Sequence, residues 1–270
     1  ITREGLEQFK ALLLRAGSLD RLDLAGLRGD RLPVILGGVA IMSAVFKEFG
    51  LEHMVFSEGA LRLGVLYDLL GRYHHHDLRD ATVTAFMARY QVERRHSEAV
   101  ARTATHLLAA IDPRTTDEDN LDRSFLDWAA RLHEIGISVA HSSYHKHSAY
   151  IIANADMPGF SRMDQARLSR IVLAHRGKLA RVSALEPDSP DWELIVCLRL
   201  AALFHRARDG RGVPPVALAR EGQSFVLSVK ESWLRKLPLT AAALEEEQRH
   251  WLSVGHGLKI RTEPARAAAA

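Results

Sequence analysis

Cysteine is nearly missing from this chain: Cys197 is the one thiol among 270 residues. A single cysteine excludes an internal disulfide framework and a multi-cysteine zinc site. It lies in the apolar run "LIVCLRLAAL", which predicts a buried, inert thiol rather than a nucleophile. No apolar run approaches the ~18 residues of a membrane span and no signal peptide is visible, so a cytoplasmic protein without a span is expected. A large excess of one charge is missing too. The formal net charge is +3 and the sequence pI about 9.1, which favours an anionic partner but is too small a surplus to imply nucleic acid. Repeats and low-complexity segments are absent apart from the tail "ARAAAA", which is left out of fold reasoning.

What is present is a soluble profile, 47% hydrophobic and 26% charged, with fourteen histidines as the anomaly. Each histidine can gain a positive charge as pH falls through ~6.5. Residues 2–15 carry helical spacing, and Gly17 supplies a stop. "RLPVILGG" reads as a short buried strand running into a glycine turn. Gly37 and Gly38 then open a helix that Gly50 closes, "LEHMVFSE" alternates like a strand, and "GALRLGVLYDLLGRY" is a further helix. Val39, Met42, Phe46, Leu63 and Leu66 are expected to form the packing face of this first segment.

Beyond Arg72 helical patterns dominate, at 78–90, 95–111, 121–137, 146–155, 164–175 and 191–207. Proline and glycine breakers separate them, and "DGRGVPP" marks a boundary. "PVALARE" and "QSFVLSVK" then read as a hairpin around Gly222, followed by two helices and the short strand "LKIRT". The expected fold class is mainly α with α/β ends, divided as 1–72, 73–210 and 211–270.

Several constellations in this frame are able to carry chemistry. Gly37 and Gly38 would put backbone N–H groups at a helix N-terminus, a place for phosphate, although Gly-Gly also serves as a plain tight turn. Ser57 and Glu58 suit the start of the next helix. In the helical middle, His96, His133-Glu134, His147 and His175 fall on successive helices. That spacing matches an HD-type phosphohydrolase core, in which imidazoles and carboxylates gather a divalent metal that activates water. Two features depart from it. His133 is followed by Glu rather than Asp, and "LRLAALFHRARD" places His205 where an aspartate ligand belongs, with Asp209 one turn further on. The metal candidates are therefore the degenerate set His96, His133 and Glu134. A metal-free use is a basic groove for a phosphate chain, lined by Lys146, Arg176, Lys178 and Arg181 with His141, His145, His147 and His175. A solvated helix face is the plain alternative, and the spacing leaves all three open.

Four stretches, "LPVILGGVAIMSAVF", "SEGALRLGVLYDLLGR", "WAARLHEIGISVAHSSYHKHSAYIIANADMPGFS" and "EEEQRHWLSVGHGLKI", resemble the C-terminal part of the Ppx/GppA family of exopolyphosphatases and guanosine pentaphosphate phosphatases. The resemblance implies that 1–72 ends the second of two actin-like (ribonuclease H-like) α/β domains. An HD-like helical domain at 73–210 and a small C-terminal α/β domain at 211–270 would follow. The chain would then be part of something longer, with the magnesium site and catalytic glutamate in a preceding domain, so that no catalytic residue is assigned here and the isolated chain is expected to be inactive. Gly37, Gly38, Ser57, Glu58, Gly59 and Arg62 match the family's cleft-facing turns and, with His141, His145, Lys146, His147, His175 and Arg176, are the candidate phosphate contacts. The resemblance further implies a degenerate HD-like domain that holds a polymer rather than cutting it. The preferred reading is the C-terminal portion of an exopolyphosphatase that binds inorganic polyphosphate and supports a homodimer. The alternatives are guanosine pentaphosphate hydrolysis, a non-catalytic binding and dimerisation module, and a metal-dependent HD phosphohydrolase.

Overall fold

Helix α1 (Arg3–Ala16) begins where the Thr2 hydroxyl accepts from the Gly5 N–H at 3.1 Å, and it stops at Gly17, whose φ of 67° needs no Cβ. In the computed structural model, residues 1–19, 29–55, 77–117, 120–208, 212–213 and 216–263 are described. The chain divides into two units, Ile1–Tyr67 and Asp68–Ala270. In the first unit a 3-10 turn (Gly29–Val34) leads into α2 (Ile35–Glu48), which packs on α1. Leu6, Leu13 and Phe46 are its buried apolar residues. The chain returns to the start of α1, where the Arg3 guanidinium donates to the Leu51 carbonyl at 2.8 Å and Thr2 bridges His53.

Among the described residues neither of the two strands expected here is formed. "RLPVILGG" is a 3-10 turn continuing into α2, and Gly37 and Gly38 lie inside that helix rather than at a turn before it. Residues 51–55 contribute one isolated bridge. A short apolar run does not distinguish strand from helix by its period alone. A strand with no neighbour leaves its N–H and C=O groups unpaired, whereas a helix satisfies them within the segment. Gly29–Glu48 also meets the length and hydropathy of a membrane-crossing helix, which corrects the expectation that no run comes close. Its uncharged stretch, Leu32–Phe46, is fifteen residues and at ~1.5 Å each falls short of the ~30 Å hydrocarbon core. Ser57, Glu58, Gly59, Arg62, Leu63 and Leu66 lie outside the described residues.

The second unit follows the expected helices closely. Asp77 caps α3 (Leu78–Arg89), α4 spans Arg94–Ile111, and Asn120 caps α5 (Leu121–Leu132). Next come α6 (Tyr144–Asn154) and α7 (Arg162–Ala174), the latter opened by a reciprocal capping box between Ser161 and Asp164. At the centre lies α8 (Asp191–Phe204), with every residue from Leu194 to Ala201 buried. Cys197 is among them, and burial pushes its thiol well above the ordinary range, as expected for an inert sulfur.

The C-terminal segment forms a three-stranded sheet. Strand β1 (Ala217–Glu221) pairs antiparallel with β2 (Ser224–Lys230) around Gly222, as the sequence predicts. Strand β3 (Gly257–Glu263) runs parallel to β2, with Phe225 opposite Leu258 and Leu227 opposite Ile260. Parallel neighbours need a crossover, and the one-turn helix α9 (Glu231–Leu234) with α10 (Pro238–Leu252) supplies it. Leu218, Phe225, Leu227, Trp251 and Leu258 join the same core as α4, α5 and α8. Across that core the buried Arg199 of α8 pairs with Glu247 of α10, which also accepts from the Trp251 indole N–H at 2.9 Å.

Candidate functional site

Gly136 organises the histidine-rich stretch. A Cβ there would lie 2.3 Å from the Tyr144 carbonyl oxygen and 2.4 Å from the Ser148 backbone nitrogen, so only glycine lets α6 come this close. The contact is locked by Ser148, whose hydroxyl accepts from the Gly136 N–H at 2.9 Å and donates to the His133 carbonyl at 2.8 Å. Between these anchors a 3-10 turn (Ile135–Ser138) follows the end of α5 and holds His133 and Glu134 in place.

Around this corner five helices contribute imidazoles. His96 from α4 and His133 from the end of α5 have ring centroids 6.1 Å apart. His133 lies 5.1 Å from His175 at the end of α7, and His175 lies 6.2 Å from His145 of α6. His205, at the end of α8, stands 6.5 Å from His96, with Nε2 at 2.8 Å from the Thr103 hydroxyl. Backbone carbonyls select the tautomers. His133 Nδ1–H donates to Ala130 and His175 Nδ1–H to Val172, each at 2.6 Å, which directs both Nε2 atoms inward. Arg181 donates to His145 Nε2 at 2.6 Å.

Burial lowers the pKa of all four inner rings. For His96 and His133 the Glu134 carboxylate opposes the effect in part. His175 is held well below the usual range by burial and by neighbouring His133. His145 falls to about 4, through burial and then the Arg181 charge. These four rings are therefore neutral at pH 7, which suits ligation and not the attraction of a polyanion.

Among the described residues Glu134 is the carboxylate of the cluster, and Asp209 lies outside them. His96 Nε2 and His133 Nε2 lie 3.7 and 3.9 Å from its Oε1, and one ligand atom from each of the three residues lies within 4.8 Å of the others. Despite the extra methylene of Glu relative to Asp, the carboxylate stays beside both imidazoles. Arg208 closes the group: its guanidinium donates to both Glu134 oxygens at 2.5 Å and to Glu93 at 2.6 Å. Its φ of 51° is unusual outside glycine and turns the chain just beyond α8.

The basic wall expected from the sequence divides in two. His141, Lys146 and Arg176 are exposed and His147 is half-buried, whereas His145 and His175 are buried. Arg176 stacks on Tyr144 at 5.3 Å. Both line a cavity of about 270 Å³ with His175, Arg206, Glu246 and His250, beside the histidine cluster. Arg206 and Arg208 lie in "LRLAALFHRARD", where the sequence analysis singles out His205 and Asp209 and not the arginines. The one available signal was the run of arginines directly after an apolar helix.

Residues 78–248 match the family model described as Ppx/GppA phosphatase, domain III, and residues 1–73 match the model for the Ppx/GppA phosphatase family. Three bacterial relatives are each named guanosine-5'-triphosphate,3'-diphosphate pyrophosphatase. The protein from Aeromonas hydrophila is 32% identical over 260 residues, covering 94% of this chain and 52% of the relative. The one from Pseudoalteromonas translucida is 31% identical over 263 residues (96% and 53%), and that from Vibrio campbellii 31% over 265 (97% and 53%). The chain thus spans about half the length of the curated relatives it matches. Matched by family models along most of its length, it belongs to the Ppx/GppA phosphatase family.

Proposed function

We propose that the chain is part of a phosphoanhydride hydrolase that removes the terminal 5'-phosphate of guanosine 5'-triphosphate 3'-diphosphate. The observation that carries this is the name shared by the three relatives, which are similar over nearly the whole chain. It reverses the order of the two readings drawn from the sequence, which put exopolyphosphatase first. In this proposal the helical unit is an HD-like domain that supports the phosphate-bearing substrate. Lys146, Arg176 and Arg206 are its exposed cationic contacts, and the cavity beside Tyr144 supports that role. Self-association belongs to the same proposal and is measured by sedimentation.

Magnesium, which the family resemblance implies, does not fit the cluster at Glu134. Two imidazoles and one carboxylate are a nitrogen-rich set, and magnesium takes oxygen ligands. No step is assigned to it in this chain. The test joins the chain to the remaining half of the Aeromonas hydrophila relative and measures phosphate release from the nucleotide and from polyphosphate side by side. Preference for the nucleotide in kcat/KM is expected; preference for polyphosphate restores the exopolyphosphatase reading. The chain alone should release phosphate from neither.

A further inference from the structure

Two acceptors face one another in the cluster without a donor of their own between them. His133 spends its Nδ1 proton on the Ala130 carbonyl, so in the neutral ring Nε2 is a bare lone pair, aimed at Glu134 Oε1 from 3.9 Å. His96 presents its Nε2 to the same oxygen from 3.7 Å. A lone pair facing a carboxylate calls for a cation, and the cation present is the Arg208 guanidinium on the carboxylate's outer side. That guanidinium has a second partner, Glu93, so leaving Glu134 would not strand it.

We infer that His96, His133 and Glu134 form a latent site for a borderline-soft divalent metal such as zinc, and that Arg208 occupies its charge position until the metal displaces it. Two imidazoles with one carboxylate are a zinc-type donor set that leaves a fourth position open. The carbonyl behind His133 is the outer partner that fixes a ligating ring, and the Gly136–Ser148 lock holds His133 and Glu134 at the required separation. The inference is independent of which phosphate substrate the protein acts on.

The test is metal binding by the chain, with zinc measured by competition against a chromogenic chelator and cobalt(II) by its visible absorption. Arg208→Gln leaves a shorter, polar but uncharged side chain and removes a charge that opposes a dication a few ångströms away. Zinc affinity should rise at least about tenfold. Adding His96→Gln to that variant should abolish the gain, which separates this site from the other histidines. No gain in Arg208→Gln, or a gain that survives His96→Gln, overturns the inference. Should Arg208→Gln not fold, the wild-type chain at millimolar cobalt(II) gives the reading. A tetrahedral absorption band that His96→Gln removes is expected. No band, or one indifferent to His96→Gln, overturns it.

Discussion

Helices α2 and α8 are each fourteen residues long and both strongly apolar, yet they lie in opposite surroundings. In α8 ten residues are buried, including Asp191 and Arg199; in α2 only Phe46 is. The difference lies in the neighbours. Helices α4, α5, α7 and α10 all pack against α8, whereas α1 is the one helix of the described residues in its unit that packs on α2. Leu36 and Ile41 of α2 are consequently exposed. Burial is a property of the packing, and apolar composition only permits it. Polar groups follow the same rule. Arg167 donates to Asp191 at 2.7 Å and Glu247 pairs with Arg199, so α8 tolerates charges that α2 has no means to bury.

The contrast is broken most severely by removing one partner of the buried pair. Glu247→Ala leaves the Arg199 charge unpaired in the core and strips the Trp251 indole of its acceptor. A loss of about 3–5 kcal/mol is expected in urea unfolding followed by tryptophan fluorescence. A loss below about 1 kcal/mol would show that α8 does not rely on this pair.

Next in size is Gly136→Ala, which drives a Cβ into the backbone of α6. About 2–3 kcal/mol should be lost, because the obstacle is main chain and not a flexible side chain. His96 and Glu134 should move apart at the same time, and any metal binding by Arg208→Gln should vanish in the double variant.

A smaller effect comes from pH. The folded pKa of His145, about 4, lies below its unfolded value of ~6.5, so between these values the unfolded chain binds more protons. The stabilisation is complete above ~6.5 and is lost as pH falls toward ~4. His145 should account for about 1–2 kcal/mol between pH 7 and pH 5, and His145→Gln should flatten the profile by that amount. A profile unchanged in the variant would move the titration elsewhere. Because the ring is interior, acid should weaken the fold and not charge a polyphosphate wall through His145.

The smallest change in stability belongs to α2. Leu36→Ser and Ile41→Ser together should shift unfolding by less than about 0.5 kcal/mol while lowering the fluorescence of an apolar dye. A large loss of stability would mean that this face is covered in solution.

What the amino-acid order determined by itself was mostly local. Asp77, Asn120 and Ser161 start their helices through a side-chain oxygen that caps an N–H two or three residues away. The hairpin around Gly222 and the inert Cys197 were legible for the same reason, since turn chemistry and an apolar neighbourhood both act within a few residues. His96, His133 and Glu134 could be named as a group from helix spacing, and they do converge. Tertiary structure alone decided the rest. It made "RLPVILGG" helical where a lone strand would have left its backbone unpaired, and it laid β3 parallel to β2. It also took His145 and His175 out of the expected surface, since helical spacing names a face without saying what covers it. Above all it brought Arg208 onto Glu134, 74 residues away in the chain. No capping rule or periodicity reaches that far, because the contact exists only once α4, α5 and α8 have packed.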